Sequence, residues 1–336
     1  MNADVENRDG WSMLLRRAWL GPLAVLLGGI LLHSMNVLML ATVLPTVVGE
    51  LGGAALMSLP STAFLASSII AATCAGLGTA TFGARNTYCV GAAVFAVGAV
   101  VIALAPAMEW VVAGRFVQGF GGGLIAGVAY VLVRSTFPEA VWARVISLLS
   151  GMWSVAILVG PPAGGVFAKM GLWRGSFVMV AAIAVLLALG AFRVLPAART
   201  VSTKRAKFPG ARLALVCAAI ASSSSAAVAP SPLAKALLIV LAIVFLAAML
   251  RLDRRTASPL LPSDAFSLAT PTGLGLWLLV LVAVAYSPLQ IFIPAFLQSC
   301  TASTGSPRAT ASPAPLSAGP SRRCWWRAPV SRGAAG

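Results

Sequence analysis

Apolar positions fall into nine long blocks, near residues 20–46, 57–79, 87–108, 111–133, 145–168, 175–195, 213–230, 233–250 and 272–298, with basic or glycine- and proline-bearing stretches between them. A helix rising 1.5 Å per residue needs about 20 apolar residues to cross a hydrocarbon core of roughly 30 Å, and each block reaches or approaches that length. Within lipid only helices and closed barrels satisfy their backbone groups, and these runs are continuous rather than alternating, so the pattern predicts helices. The seventh block is the weakest, because Ser222 to Ser225 place four hydroxyls at its middle. Serines can bond back to their own helix or across to another. The pattern predicts an all-α membrane protein whose partner is the lipid bilayer.

Composition agrees. Hydrophobic residues make up 59% and charged residues 10%, with a mean hydropathy of +0.94, against roughly 45–50% apolar and about 25% charged in soluble domains. A soluble globular domain is excluded. The uncharged run after Arg17 continues to Gly49, far beyond a signal-peptide core, and reads as a retained first helix. The net charge of +16 does not argue for nucleic acid, because the cations sit in short loops instead of on one face.

Alternate loops divide those cations unevenly. One set holds fifteen Lys and Arg, including Arg85, Arg134, Arg144 and the basic stretch 193–212, while the other holds Lys169, Arg174 and Lys235. The excess is expected on the cytoplasmic side, which puts the N-terminus in the cytoplasm and the chain in the cell (inner) membrane as a multi-pass protein.

The last 36 residues differ, since 31 of them are Ala, Ser, Pro, Arg, Gly or Thr and none is acidic. After nine spans this tail would emerge outside with Arg308, Arg322, Arg323, Arg327 and Arg332, against the charge rule. The expectation is a change of reading frame shortly after Gln298, since GC-rich coding sequence read out of frame gives such a mixture. The alternatives are a genuine low-complexity tail and a deliberately altered end.

Five cysteines without a CxxC spacing read as small packing residues. The single histidine, His33, cannot build a histidine metal site or a triad. All eight acidic residues lie in loops, termini or helix ends, and Ser222 to Ser225 have no activating base nearby. The chain is therefore expected not to be an enzyme and to need no cofactor or metal. Without a GxxxxGK[ST] loop, nucleotide-driven pumping is not expected, and any coupling would use an ion gradient.

Four stretches carry more information. The fourth block begins Gly114-Arg115-Phe116-Val117-Gln118-Gly119-Phe120-Gly121-Gly122-Gly123, and it resembles the RxxQGxG motif of the major facilitator superfamily. In that family the arginine is implicated in proton transfer, a role the resemblance maps to Arg115, with Gln118 beside it. An intramembrane arginine is costly and thus a functional candidate by default. The other reading is an arginine snorkelling to the interface.

The fifth block holds Ala156 and Gly160-Pro161-Pro162-Ala163-Gly164-Gly165, similar to the GPxxGG core of the family's antiporter motif. Small residues at 156, 160 and 164 let a neighbouring backbone approach, and the prolines are expected to kink the helix. Gating and plain packing both fit.

The first block ends Met35-Asn36 through Leu44-Pro45, similar in spacing to a signature of fourteen-span drug:proton antiporters, with Asn36 where the family carries an acid. In the loop expected after the second block, Gly76, Gly83 and Arg85 align with GxLaDrxGrr, whereas Ala80 and Thr81 replace its aspartate and first arginine. A glycine-assisted turn with one basic anchor is expected. Trp173-Arg174 with Phe177, and Ile293-Pro294-Ala295-Phe296-Leu297-Gln298, are smaller echoes.

The resemblance covers roughly residues 15 to 298. It implies a major facilitator fold with a complete N-terminal six-helix half plus about three further spans. The corresponding scheme is a cytoplasmic N-terminus 1–19, the six-helix half 20–195, a basic loop 196–212, two additional spans 213–250, a loop 251–271, the first span of the C-terminal half 272–298 and the tail 299–336. The implied function is ion-gradient-coupled efflux of drugs or small amphiphilic molecules by alternating access, with protons the candidate coupling ion. Asn36, Gln118 and Met152 are positional candidates for substrate contact. The alternatives are an inactive truncated fragment and a membrane scaffold whose basic loop attracts anionic lipid.

Overall fold

The apolar blocks become helices that end where glycine takes a conformation side chains resist. Gly52, at φ 72°, closes the first helix, and Gly83, at φ 80°, alone separates the second from the third. The left-handed region costs other residues roughly 1–2 kcal/mol, so these two turns are specified locally.

The computed structural model describes residues 11, 13–14, 16–196, 210–256, 264–282 and 284–285. Its main helices are α1 (Arg17–Leu51), α2 (Leu59–Phe82), α3 (Ala84–Ala103), α4 (Met108–Thr136), α5 (Trp142–Lys169), α6 (Trp173–Val194), α7 (Gly210–Val228) and α8 (Pro232–Arg254). Single 3-10 turns at Ala54–Leu56 and Glu139–Val141 precede α2 and α5. Among the described residues seven stretches are long and apolar enough to span a membrane, with Gly210–Ala226 and Pro271–Val282 as shorter apolar helices. No strand occurs among the described residues.

Two details depart from the hydropathy pattern. Helix α1 has 35 residues, about 52 Å at 1.5 Å per residue, so it outruns the hydrocarbon core at its ends. The loop expected after the second block is instead the last turns of α2, where the Thr79 and Thr81 hydroxyls donate to the Gly76 and Leu77 carbonyls at 2.8 and 2.9 Å. Gly76 therefore lies inside a helix, and only Gly83 turns the chain. In α7 the serines follow the expected pattern: Ser222 donates to Ala218 O at 2.7 Å, and Ser223 and Ser224 donate to Ile220 O at 2.9 Å. Most of the basic loop, the part of the ninth block beyond 285 and the tail lie outside the described residues.

The contacts divide the chain into Met1–Leu260 and Leu261–Gly336. In the first unit α4 packs against α2, α3 and α1, while α1 also packs on α5 and α6, and α3 on α6. Helices α7 and α8 form a hairpin, α7 also touching α2. The outward faces are apolar, as at Leu158 (75% exposed), Leu186 (67%) and Leu237 (61%), which suits contact with lipid rather than water. In the second unit, the helix Pro271–Val282 is preceded by a turn whose Phe266 carbonyl accepts from Trp277 Nε1 at 3.4 Å.

Polar contacts sit at the bundle's ends. Glu50 near the end of α1 receives Trp173 Nε1 and pairs with Arg174, which also donates to Ala105 O at 3.0 Å. That contact ties α1, the α3–α4 connection and the start of α6 together. At the opposite end Arg85 lies 4.7 Å from the Phe192 ring centroid. Arg212 and Asp253 form a buried pair at 2.6 Å joining the start of α7 to the end of α8.

Candidate functional site

Helix α4 approaches two neighbours at once because its glycines lack a Cβ. A Cβ on Gly119 would stand 2.7 Å from Phe64 Cα of α2, and one on Gly121 would stand 2.7 Å from Phe95 Cα of α3. Lipid offers little hydrophobic drive for helix association, so such close packing carries much of it. The glycine-rich part of the motif is thus read here as a two-sided packing surface.

That packing buries the motif's polar residues. Arg115 is 1% exposed, so its guanidinium lies in the bundle and not at the interface. Its Nη1 donates to Gln118 Oε1 at 2.9 Å, three residues on along the same helix, and its Nε donates to Pro60 O at 3.4 Å. Its Cζ lies 4.1 Å from the Phe64 ring centroid, a cation–π contact. The described acids, Glu50, Glu109, Glu139, Asp253 and Asp264, all lie at helix ends or in connections. The charge is met by a carbonyl, an amide oxygen and an aromatic face.

The same phenyl ring is shared with α1. His33 lies 5.3 Å from Phe64, centroid to centroid, and meets Trp153 of α5 edge-on at 6.3 Å. Gly122 leaves it room, since a Cβ there would come within 2.7 Å of His33 Nδ1. One turn on, Asn36 is fully buried. The antiparallel register of α1 and α4, with Gly29 against Ile125 and His33 against Gly122, carries Asn36 to the level of Gln118.

Four polar atoms at this locus have no hydrogen-bond partner among the described residues: His33 Nδ1, Asn36 Nδ2, Asn36 Oδ1 and Gln118 Nε2. Each such buried atom costs about 1–3 kcal/mol. Native proteins leave few of them, and a cluster calls for an explanation.

The other sequence candidates lie elsewhere. Gly160 and Gly164 face α1, where Cβ atoms would meet Met35 O at 3.0 Å and Met39 O at 2.9 Å, and Ala156, one turn before Gly160, is fully buried. Gly165 has nothing within 4 Å, and α5 runs unbroken through Pro161 and Pro162. Gly76, Gly83 and Arg85 are not part of the polar cluster; the last two lie at the α2–α3 turn. Met152 is partly buried against the core beside Trp153. His33 was valued in the sequence only for the metal sites it could not build. Its position three residues before Asn36, hence on the same helix face, was the available signal.

The Major Facilitator Superfamily profile matches residues 26–306. The chain belongs to that superfamily. Membership accords with the all-α membrane fold and with the order of the motifs. The Mycobacterium tuberculosis (strain ATCC 25618 / H37Rv) protein named Probable multidrug-efflux transporter is 36% identical over 272 residues, covering 79% of this chain and 58% of the relative. The Multidrug transporter MdfA of Edwardsiella piscicida is 30% identical over 139 residues, covering 41% of this chain and 34% of the relative. The protein of that name from Yersinia pestis bv. Antiqua is 28% identical over 198 residues, 59% of this chain and 48% of the relative. The chain spans little more than half the length of the mycobacterial relative it matches. All three relatives are named as transporters, not enzymes.

Proposed function

We propose that the chain acts in secondary active transport, as part of a transporter that exports small amphiphilic molecules by alternating access. The observation that carries this reading is the buried Arg115–Gln118 pair, set in an apolar bundle against the unpartnered polar atoms of His33 and Asn36. A charge with no acid near it among the described residues and four unsatisfied atoms give nothing to a purely structural bundle, whereas a midplane site needs polar groups free to change partners. The names of the relatives supply the solute class.

In this reading the protein sits in the inner membrane with a cytoplasmic N-terminus, and the first six spans form one transporter half, followed by two additional spans at 213–250. Protons are the candidate coupling ion, with Arg115 the residue through which coupling passes. Ala156, Gly160 and Gly164 are the surface on which α5 slides against α1. The turn Gly83–Arg85 anchors the cytoplasmic end of the α2–α3 hairpin.

The test reconstitutes the full chain into liposomes and follows a fluorescent amphiphile under an imposed pH gradient. Gradient-dependent movement, lost in Arg115→Ala, is expected. Absence of movement by the chain, with correct insertion verified, refutes transport by this chain on its own. It would favour a non-transporting membrane protein, inactive or acting as a scaffold whose basic loop 193–212 gains about 1 kcal/mol per cation on anionic lipid.

A further inference from the structure

The buried polar locus also carries information about the charge of what it binds. Its parts come from two facing helices: His33 and Asn36 on α1, Arg115 and Gln118 on α4. All four residues are buried, with His33 the most open at 8% exposed and set edge-on to Trp153 of α5, itself 42% exposed. The unpartnered atoms include donors, Asn36 Nδ2 and Gln118 Nε2, and an acceptor, Asn36 Oδ1. His33 Nδ1 serves as either, according to tautomer. The fixed charge is positive and, among the described residues, is offset only by neutral groups.

We propose that His33, Asn36 and Gln118, beside Arg115, form a recognition site for a neutral or anionic hydrogen-bonding group, such as an amide or carboxylate, on an amphiphilic ligand, and that the site rejects permanent cations. A group of that kind supplies partners for the stranded atoms. A carboxylate also supplies the counter-charge that Arg115 lacks among the described residues, and charge-assisted bonds are the stronger ones. A quaternary ammonium has no hydrogen to donate and no lone pair to accept with, and it would stand beside a like charge at low dielectric. It gains nothing and loses its water. The Phe64 face nearest Arg115 does not rescue it, because the guanidinium already occupies that face.

His33 is central because it is the most exposed of the four. The titratable and charged groups facing it are few: Arg115 from α4, with Tyr88 of α3 one turn away near Gly29, donating to Val25 O at 2.8 Å. The faces of α2 and α5 against it present Phe64 and Trp153, neither of which titrates.

This inference deepens the transport reading by naming its substrate class, and equilibrium binding tests it separately from transport. The full chain, purified in detergent, is dialysed against three probes of matched size: 2-naphthamide, 2-naphthoate and 2-naphthyltrimethylammonium. The amide and the carboxylate should bind at least about tenfold more tightly than the ammonium. His33→Phe keeps a ring without its nitrogens and should weaken the two favoured probes about 5- to 10-fold, the effect of one or two lost hydrogen bonds. His33→Asn, which restores a donor and an acceptor, should recover part of that loss. The ammonium should be indifferent to both changes.

The wild-type ranking needs no variant to fold. Equal affinity for the cation, or binding of none of the three, overturns the proposal. So does a His33→Phe protein of unchanged elution and helicity that binds all three like wild type. Selective binding without gradient-driven movement would keep the site and remove the transport reading; movement without charge selectivity would do the reverse.

Discussion

Gly123 is where the structure makes its sharpest mechanical claim. A Cβ there would stand 2.7 Å from both Cα and the carbonyl carbon of Ser68, and nearer still to its oxygen. Carbon atoms rest at about 3.5–4.0 Å, so Gly123→Ala must push α2 and α4 apart by about 1 Å. The obstacle is backbone and cannot rotate away. Such a gap forfeits a quarter to a half of each contact's well depth along the interface, and overpacking of this kind costs about 1–3 kcal/mol. Alanine returns up to about 1 kcal/mol of helix propensity, leaving a net loss on the order of 1–2 kcal/mol. On the scale of about 2–4 °C per kcal/mol for domains of this size, the melting temperature should fall by about 2–8 °C.

Gly165→Ala is the matched control, because nothing lies within 4 Å of that position. It should leave the melting temperature unchanged or raise it slightly. Both variants are followed by the loss of helical circular dichroism on heating in one detergent. If Gly123→Ala melts with or above Gly165→Ala, the close contact of α2 and α4 is wrong. The register that places Arg115 over Phe64 would fall with it.

Asp253→Asn removes the charge of the carboxylate that pairs with buried Arg212 and should destabilise the α7–α8 hairpin by about 3–5 kcal/mol, whereas the double replacement Arg212→Met with Asp253→Leu should recover most of it, as read by urea unfolding. Trp173→Ala removes a fully buried ring packed edge-on to Phe177 and should cost about 3–5 kcal/mol in the same assay. Glu50→Gln breaks an ion pair whose side chains are 39% and 46% exposed and should scarcely move the transition, since water and salt already screen it. For orientation, Ser58→Cys should react with an impermeant maleimide on intact cells and Glu139→Cys should not, each in a background without the native cysteines; the reverse pattern would invert the proposed topology.

The sequence by itself determined the number and rough limits of the helices in the described region and their all-α character. Lipid makes that possible: where no water can serve the backbone, a run of about 20 apolar residues has almost no choice but a helix. It also made the small-residue surfaces legible, because Gly119, Gly121, Gly160 and Gly164 announce a close approach whatever the partner. It did not say which helix approaches, and the structure assigns the first two to α2 and α3 and the last two to α1. Hydropathy likewise could not find the end of α2, where the hydroxyls of Thr79 and Thr81 return to the backbone and polar-looking residues continue the helix to Phe82. The polar locus was beyond the sequence for a different reason. Arg115 and Gln118 advertise themselves by charge and spacing, but His33 joins them only because Phe64, from a third helix, lies against both its imidazole and the guanidinium. That meeting depends on the relative rotation of α1, α2 and α4, which glycine contacts distant in sequence decide and no single periodicity encodes.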